Sequence, residues 1–262
     1  MTLQSHSRLS CCIVMFCGLL LAAPPSGRAD RVEILEYDIT WIGISVGTMA
    51  VHHENRADGT QWCSIRIWNR PWMARIYPVD NRIECLIEPS ADGPRHTITK
   101  QMGEKGFTQD DTLTLWPEAG MAIWSNAVSN TVHTFEVPHG AQDFVSFFFD
   151  LRDAAGADDW DNEAAYTLVM DDSPQHLNIQ VGDPRVIRTP YGRLSAIPVQ
   201  AVTTSKTLFS RNKPRAVWVY LNPPIVIFAD VDTRFGTVRG TLRKWEIDGQ
   251  PVAWGPSKPP AN

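Results

Sequence analysis

The chain has 262 residues, of which 43% are hydrophobic and 20% are charged. This balance excludes a chain that is disordered as a whole, and the length suits one large domain or two small ones. The formal net charge of −5 argues against nucleic acid as a partner.

The first 29 residues have the pattern of a secretory signal peptide. Arg8 precedes an apolar run over residues 9–23, and Gly27 and Ala29 offer small side chains at the two positions that a signal peptidase reads. A retained membrane anchor is disfavoured, because the run is shorter than the roughly 20 apolar residues that cross a bilayer. We therefore expect cleavage near Ala29 and a periplasmic location. Cleavage removes Arg8 and Arg28 and no acid, so the mature chain would keep 22 basic and 29 acidic residues, a net charge of −7.

Apolar residues alternate with polar ones along most of the remaining chain, which is the pattern of β-strands. Clusters of glycine, proline, asparagine and aspartate separate these stretches and predict turns. Regular spacing of short strands favours antiparallel pairing throughout. Strands are predicted at 32–52 (with a bend at the glycines 43 and 47), 62–68, 81–88, 95–102, 107–116, 121–124, 132–137, 166–170, 176–181, 185–188, 194–202, 216–221, 225–231 and 237–247.

One stretch, at residues 139–153, breaks this alternation and has helical spacing. Its wide apolar arc implies deep burial, so we predict a buried amphipathic helix at about residues 141–152. The fold class is then all-β and mainly antiparallel, with a strongly curved sheet or incomplete β-barrel or roll that closes on this helix. We expect a single domain over residues 30–254 and a flexible proline-rich tail over 255–262. The apolar arc contains Phe144, Val145, Phe147, Phe148, Phe149 and Leu151, and the polar side contains Gln142, Asp143, Ser146 and Asp150.

Cys63 and Cys85 are the two cysteines that remain after signal cleavage. A pair of cysteines in an exported protein is a disulfide candidate. An antiparallel register centred near Ala74 would place the two cysteines opposite each other on neighbouring strands. The predicted disulfide would stabilise the fold by roughly 3 kcal/mol. The alternative is two buried free thiols.

His139, Asp143 and Ser146 lie close together in sequence, but they do not predict a hydrolase triad. Asp143 and Ser146 are one helical turn apart, where the hydroxyl would meet the carboxylate or a backbone carbonyl, and no G-x-S-x-G turn exposes a serine. The other histidines lack metal-ligand spacing, and the acidic loop at residues 159–163 lacks the glycine and distal glutamate of a calcium loop. We therefore predict no catalytic residue, no metal and no cofactor.

The chain contains ten tryptophans, most of them in or beside predicted strands. Aromatic rings in strands usually pack as cross-strand pairs, but rings that line a concave sheet would also suit an acyl chain, a peptide or a sugar ring. Arg152, at the margin of the helix's apolar arc, is either part of a buried ion pair or a polar anchor in such a pocket. The candidate ligand-binding residues are Trp41, Tyr77, Phe147, Arg152 and Trp218.

Five sequence motifs occur in an order that resembles one bacterial family. They are Leu35-x-Tyr37-x-x-x-Trp41-x-Gly43 with Val46-Gly47; Ile76-Tyr77-Pro78-Val79 before Asn81-Arg82; Gln142-Asp143-x-x-Ser146 ending in Leu151-Arg152; Val181-Gly182 leading to Thr189-Pro190-Tyr191-Gly192; and Trp218 with Phe235-Gly236-Thr237-Val238. Over nearly all of residues 32–242 the chain resembles the domain-of-unknown-function family DUF3108, mostly exported proteins of Gram-negative envelopes. It departs from the family's usual form after Trp218, where residues 219–224 lack the polar and basic positions. The resemblance implies a periplasmic β-rich domain and no established catalytic residue.

Three functional hypotheses follow. The leading one is a periplasmic, non-enzymatic binding or scaffolding protein of the bacterial cell envelope, which holds an apolar, glycan or peptide ligand in a concave aromatic-lined sheet. The alternative is an envelope hydrolase that acts on glycan, lipid or peptide through carboxylates from separate strands. The third is a purely structural partner in an envelope complex, recognisable by an exposed apolar patch or strand edge. The expected partner is an envelope component, namely a lipid, glycan, peptide or protein, and the mature chain is not expected to span the membrane.

Overall fold

The structure is a computed structural model that describes residues 30–155, 163–203, 213–233 and 236–254. The predicted signal peptide and tail, and most of the acidic loop, lie outside these ranges. The described residues form strands β1 (Arg31–Trp41), β2 (Ile44–Asn55), β3 (Gln61–Asn69), β4 (Val79–Glu88), β5 (Arg95–Glu104), β6 (Phe107–Trp116), β7 (Met121–Asn126), β8 (Thr131–Glu136), β9 (Gln142–Asp143), β10 (Glu163–Val169), β11 (Pro174–Val181), β12 (Arg185–Thr189), β13 (Gly192–Val202), β14 (Lys213–Leu221), β15 (Pro224–Thr233), β16 (Gly236–Ile247) and β17 (Gln250–Pro251), with helices α1 (Pro71–Ala74) and α2 (Phe144–Ala155).

All of these strands belong to one sheet. From β8 the hydrogen-bonded order runs through β7, β6, β5, β4, β3, β2, β1, β16, β15, β14, β13, β11 and β10 to β9. The short strands β12 and β17 add to β13 and β16. The predicted fold class is confirmed, because the sheet is mainly antiparallel and is not closed into a barrel. The prediction of antiparallel pairing throughout is wrong at one pair, since β9 runs parallel to β10.

Side chains join the two halves of this open sheet. Lys100 on β5 reaches the turn after β10, where its Nζ donates to the carbonyl oxygen of Met170 at 2.5 Å and to the carboxylate of Asp171. The same Nζ lies 3.7 Å from Oδ2 of Asp111, a buried carboxylate on β6 that also accepts a hydrogen bond from the indole of Trp124 at 3.1 Å. Within the described residues no backbone ladder joins β8 to β10, and these polar contacts link β5 and β6 to the turn after β10.

Helix α2 lies between two hydrophobic clusters. Val145 and Phe149 pack in the larger cluster, which is formed mainly by inward side chains of β1–β7, β15 and β16. Phe147 and Leu151 pack in the smaller cluster, which is formed by β10, β11 and β13–β15. The apolar arc is therefore buried on both sides, as its width predicts. In the described part of the chain neither helix is long and apolar enough to cross a bilayer.

The helix begins later than the apolar pattern predicts. Oδ1 of Asp143 accepts hydrogen bonds from the backbone N–H groups of Val145 at 2.8 Å and Ser146 at 3.0 Å, which is the bonding of a helix N-cap. Gln142 and Asp143 are still extended and pair with β10. The predicted boundaries of about 141–152 are thus corrected to Phe144–Ala155, and Asp143 caps the helix instead of lying in its first turn.

Candidate ligand-binding site

Four polar or sulfur-containing side chains form a line across the inner face of the sheet. Glu33 on β1 lies opposite His53 on β2, His53 opposite Cys63 on β3, and Cys63 opposite Cys85 on β4. All four are buried, and we call them the polar row. Buried polar groups destabilise a protein unless they have hydrogen-bond partners, so the surroundings of this row determine what it can do.

Helix α2 provides the partner for the first member of the row. Nη1 of Arg152 donates to Oε2 of Glu33 at 2.7 Å, and Nε1 of Trp245 donates to Oε1 at 2.7 Å. Burial raises the pKa of Glu33, but the nearby His53 ring, the charge of Arg152 and these hydrogen bonds outweigh it and lower the pKa to about 2. The Arg152 guanidinium also lies over the ring of Phe149, 5.1 Å from its centre. Arg152 is therefore one half of a buried ion pair, which is one of the two alternatives raised by the sequence.

Asp143 makes a second buried polar cluster at the start of the helix. Its Oδ2 lies 2.7 Å from Nδ1 of His96 and accepts a hydrogen bond from the hydroxyl of Ser146, while Cys85 Sγ lies 3.8 Å from Oδ1. Burial raises the pKa of this carboxyl, but the contacts with His96 and Ser146 outweigh it and hold the pKa below its usual value. Asp143 is therefore a charged helix cap in a protein interior. The sequence pattern predicts that Asp143 and Ser146 lie on the polar side of the helix, away from its apolar arc, whereas both residues are buried in the structure.

The geometry of this cluster does not activate a nucleophile. In a serine triad the carboxylate and the hydroxyl bond to different nitrogens of the histidine ring. Here the hydroxyl of Ser146 lies 3.2 Å from Nδ1 of His96, the same nitrogen that contacts Asp143. The hydroxyl donates its hydrogen bond to the carboxylate of Asp143. His139, the histidine adjacent in sequence, is exposed and instead contacts Glu118 at 2.5 Å. The serine is therefore a structural donor in this arrangement.

The two cysteines occupy the register that the sequence predicts. Cys63 lies directly opposite Cys85, so this part of the prediction is confirmed. Directly opposed residues of an antiparallel pair have Cα atoms about 4.5–5.5 Å apart, a spacing that a disulfide can bridge. Both are free thiols in the structure, and burial raises the pKa of Cys63 to about 12 and raises that of Cys85 further. As thiols they are weak nucleophiles.

The disulfide between Cys63 and Cys85 remains a prediction for the exported protein. We expect the mature protein, denatured without reductant, to contain no thiol that iodoacetamide alkylates. Reduction should lower its stability by roughly 3 kcal/mol, because the cross-link restricts the unfolded chain. A Cys63→Ser variant is the control and should contain one alkylatable thiol. Two alkylatable thiols in the wild-type protein, measured by mass spectrometry, would contradict the prediction.

A cavity of about 240 Å³ lies between α2 and the strands that carry the polar row. Its walls combine the ring of Phe149, two imidazoles and the two thiols, and Gln61 and the exposed Asp150 also line it. Trp62 borders the cavity too, but its ring packs against His52 on the opposite face of the sheet from His53. Apolar walls with a few inward polar groups are typical of ligand sites. In residues 30–155, 163–203, 213–233 and 236–254, no group of three or more His, Cys, Asp or Glu side chains is placed to hold a metal ion. The five central wall residues are His53, Cys63, Cys85, His96 and Phe149.

The five ligand-binding candidates from the sequence lie at different places. Trp41 is the last residue of β1, and Arg152 pairs with Glu33. Tyr77, in the β3–β4 connection, donates a hydrogen bond from its hydroxyl to Glu104 at 3.4 Å. The ring centres of Phe147 and Tyr166 are 5.0 Å apart, and those of Trp218 and Phe228 are 5.7 Å apart. None of the five is among the described residues that line the cavity. Their role in ligand binding stays a prediction, and the structure does not bring them together around this cavity.

The sequence-based candidates did not include the two imidazoles, although the alternation of the strands contained a signal for them. His53 has the same strand parity as the buried Val51, and His96 has the same parity as the buried Ile98. A polar residue at an inward position of an alternating strand must find a partner in the interior. Searching the predicted strands for such positions would have identified both histidines, and Glu33 beside Leu35 as well.

Comparisons with known proteins agree with this architecture. No curated protein matches the chain. Among solved structures, the chain is similar to the crystal structure of a β-barrel-like protein of the domain of unknown function DUF1849 from Brucella abortus, with a TM-score of 0.56 and 17% sequence identity over 82% of this chain and 97% of that one. This likeness shows the fold alone. The model of the family "Protein of unknown function (DUF3108)" matches residues 36–243. The chain therefore belongs to the DUF3108 family.

Proposed function

We propose that this protein is an exported, non-catalytic binding protein of the bacterial cell envelope, and that the cavity beside α2 is its ligand site. The observation that carries the proposal is the cavity itself, with aromatic and apolar walls around a few inward polar groups. The signal-peptide pattern of residues 1–29 supports the exported location.

The size and lining of the cavity favour one part of a larger ligand. Its volume of about 240 Å³ is below the roughly 300–1,000 Å³ of sites that hold a whole drug-sized molecule. Phe149 and Ile87 offer apolar surface, and His53 and His96 offer ring nitrogens. Such walls suit a single sugar ring or one peptide side chain, with the rest of the glycan or peptide outside.

The lining also favours binding over hydrolysis. A glycosidase uses two carboxyl groups on opposite sides of the bond it breaks. Among the described residues that line the cavity, Asp150 is the one carboxylate. The hydroxyl of Ser146 donates a hydrogen bond to Asp143. Cys63 and Cys85 are not thiolates in either state, because a disulfide has no thiol and the pKa values of the two free thiols are raised. These groups can bind and orient a ligand, and none of them is activated to attack it.

Replacement of Ile87 tests the proposed site. We expect native mass spectrometry of the protein purified from a periplasmic extract to detect a bound glycan or peptide. Ile87→Ala should weaken retention of this ligand about tenfold, because it removes an apolar wall. Leu86→Ala, which changes the neighbouring residue on the other face of the same strand, outside the cavity, is the matched control and should retain the ligand. Wild-type protein without a ligand, or equal retention by Ile87→Ala, would contradict the proposal.

A further inference from the structure

Four large apolar side chains are exposed together at one end of the sheet. Ile42 and Ile44 lie at the β1–β2 hairpin and are 78% and 57% exposed; Trp72 and Ile76 lie in the β3–β4 connection and are 45% and 60% exposed. Helix α1, which carries Trp72, contains no buried residue. We call these four residues the apolar tip. Single exposed apolar residues are ordinary, but a cluster of them marks an interaction surface.

Hydrogen bonds keep the two loops of the apolar tip side by side. The backbone N–H of Arg70 donates to the carbonyl oxygen of Val46 at 2.8 Å, and Nε of Arg70 donates to the hydroxyl of Ser45 at 3.2 Å. Ser45 directly follows Ile44, and Arg70 lies two residues before Trp72. The apolar side chains of the two loops are therefore neighbours on one surface.

Ile42 has a backbone conformation that isoleucine disfavours. Trp41 pairs with Ile44, so Ile42 and Gly43 form a two-residue turn, with φ of +50° and +79°. A two-residue turn with positive φ at both positions prefers Asn-Gly, and a β-branched residue at positive φ is a genuine outlier. The turn itself gives no reason for an isoleucine here. A contact of this side chain with something outside the chain does give one.

Basic side chains flank the apolar tip. Arg75 follows α1 and is exposed, and the exposed Lys105, in the β5–β6 turn, donates to the carbonyl oxygen of Ile76 at 3.3 Å. Nearby acids are engaged within the protein: Asp80 pairs with Arg66, Asp38 with Arg70 and Arg243, and Glu104 accepts from Asn81. This end of an otherwise acidic chain therefore combines protruding apolar side chains with positive charge.

We propose that the apolar tip docks onto a bilayer that contains anionic phospholipid. Protruding isoleucines and a tryptophan suit the boundary between headgroups and acyl chains, and Arg75 and Lys105 suit the phosphates. Turn tips project from the protein, so they can enter a headgroup layer without a change of fold. The cavity lies beside Gln61 and Cys63 at the start of β3, whereas the apolar tip follows Asn69 at its end. Docking would therefore leave the cavity facing away from the membrane.

Vesicle flotation tests this proposal with the full exported protein. The probes are vesicles of phosphatidylethanolamine with about one quarter phosphatidylglycerol, and vesicles of phosphatidylcholine alone. We expect binding to the anionic vesicles and at least about tenfold weaker binding by Trp72→Ala/Ile76→Ser, because two apolar anchors are lost. Arg75→Glu should weaken binding at least about fivefold and reduce its salt dependence. Ile87→Ala, in the cavity, is the control and should bind vesicles like the wild-type protein.

Ile42→Asn separates a docking role from a structural one in the same experiment. It creates an Asn-Gly turn, so the melting temperature should stay equal or rise while vesicle binding falls severalfold. A lower melting temperature with unchanged vesicle binding would overturn the proposal. Failure of the wild-type protein to bind anionic vesicles would also overturn it. If light scattering then detects a wild-type dimer that Ile42→Asn does not form, the apolar tip binds a second copy of the chain. Because Ile87→Ala affects ligand retention and Ile42→Asn affects vesicle binding, failure of docking is distinguishable from failure of the cavity as a ligand site.

Discussion

Phe147→Asp is expected to unfold the protein or leave it marginally folded at neutral pH. Phe147 is buried on α2, where its ring packs against Tyr166 and the smaller hydrophobic cluster around Leu168 and Leu177. Truncation of a buried phenylalanine costs about 3–5 kcal/mol, and a carboxylate without a partner adds a desolvation penalty. Since a folded domain is stable by only about 5–15 kcal/mol, this change removes most of the margin.

Urea unfolding followed by circular dichroism measures this effect. Val132→Asp is the matched control, because it introduces the same side chain at an exposed position of the edge strand β8. We expect the control to change the free energy of unfolding by no more than about 0.5 kcal/mol. A Phe147→Asp protein as stable as this control would show that the sheet does not depend on α2 for its core.

The strands and the helix could be predicted because their patterns are local. Period-two alternation places Cys63 with Ile65 and Cys85 with Ile87, and the same alternation gives the register that sets the two cysteines opposite each other. The apolar arc of α2 requires neighbours on both sides, and two hydrophobic clusters provide them. These features follow from the spacing of apolar and polar side chains along the chain, and this spacing can be read directly from the sequence.

The start of α2 and the cavity depend on contacts between distant parts of the chain. Asp143 becomes a cap because Gln142 and Asp143 pair with β10, a strand that follows the helix in sequence. His96 on β5 meets Asp143 at the start of the helix, although the two residues are 47 positions apart in the chain. The spacing of residues along the sequence does not predict such a contact. The sequence could indicate that His96 faces inward, but not which helix residue it would meet.

Arg152→Met is expected to destabilise the protein by about 3–5 kcal/mol, because it leaves a buried charge on Glu33 without its partner. Glu33 is 3% exposed, and Arg152 is the cation that contacts it on α2. Methionine keeps much of the apolar stem of arginine, so the loss of charge dominates the change. The free energy of unfolding from urea titration at neutral pH measures this effect.

Arg66→Met is the matched control for this prediction. Arg66 makes a bidentate pair with Asp80, and the two side chains are 46% and 63% exposed. Solvent screens such a pair, so its loss should lower the free energy of unfolding far less than Arg152→Met does. Equal destabilisation by the two arginine variants would contradict the conclusion that burial makes the Glu33–Arg152 pair important.

The pH dependence of the Arg152→Met effect identifies Glu33 as its source. The pKa of Glu33 falls from its ordinary 4.5 to about 2 in the folded protein, so the ionised carboxylate contributes stability that is fully present above pH 4.5 and is lost as the pH falls towards 2. Without Arg152 the folded-state pKa of Glu33 rises, and protonation relieves the buried charge. The stability difference between wild type and Arg152→Met should therefore be largest at neutral pH and shrink in acid. Glu33→Gln removes the charge but keeps an acceptor for Trp245. The double variant Glu33→Gln/Arg152→Met should therefore be more stable than Arg152→Met alone. A double variant that is less stable than Arg152→Met would contradict this account.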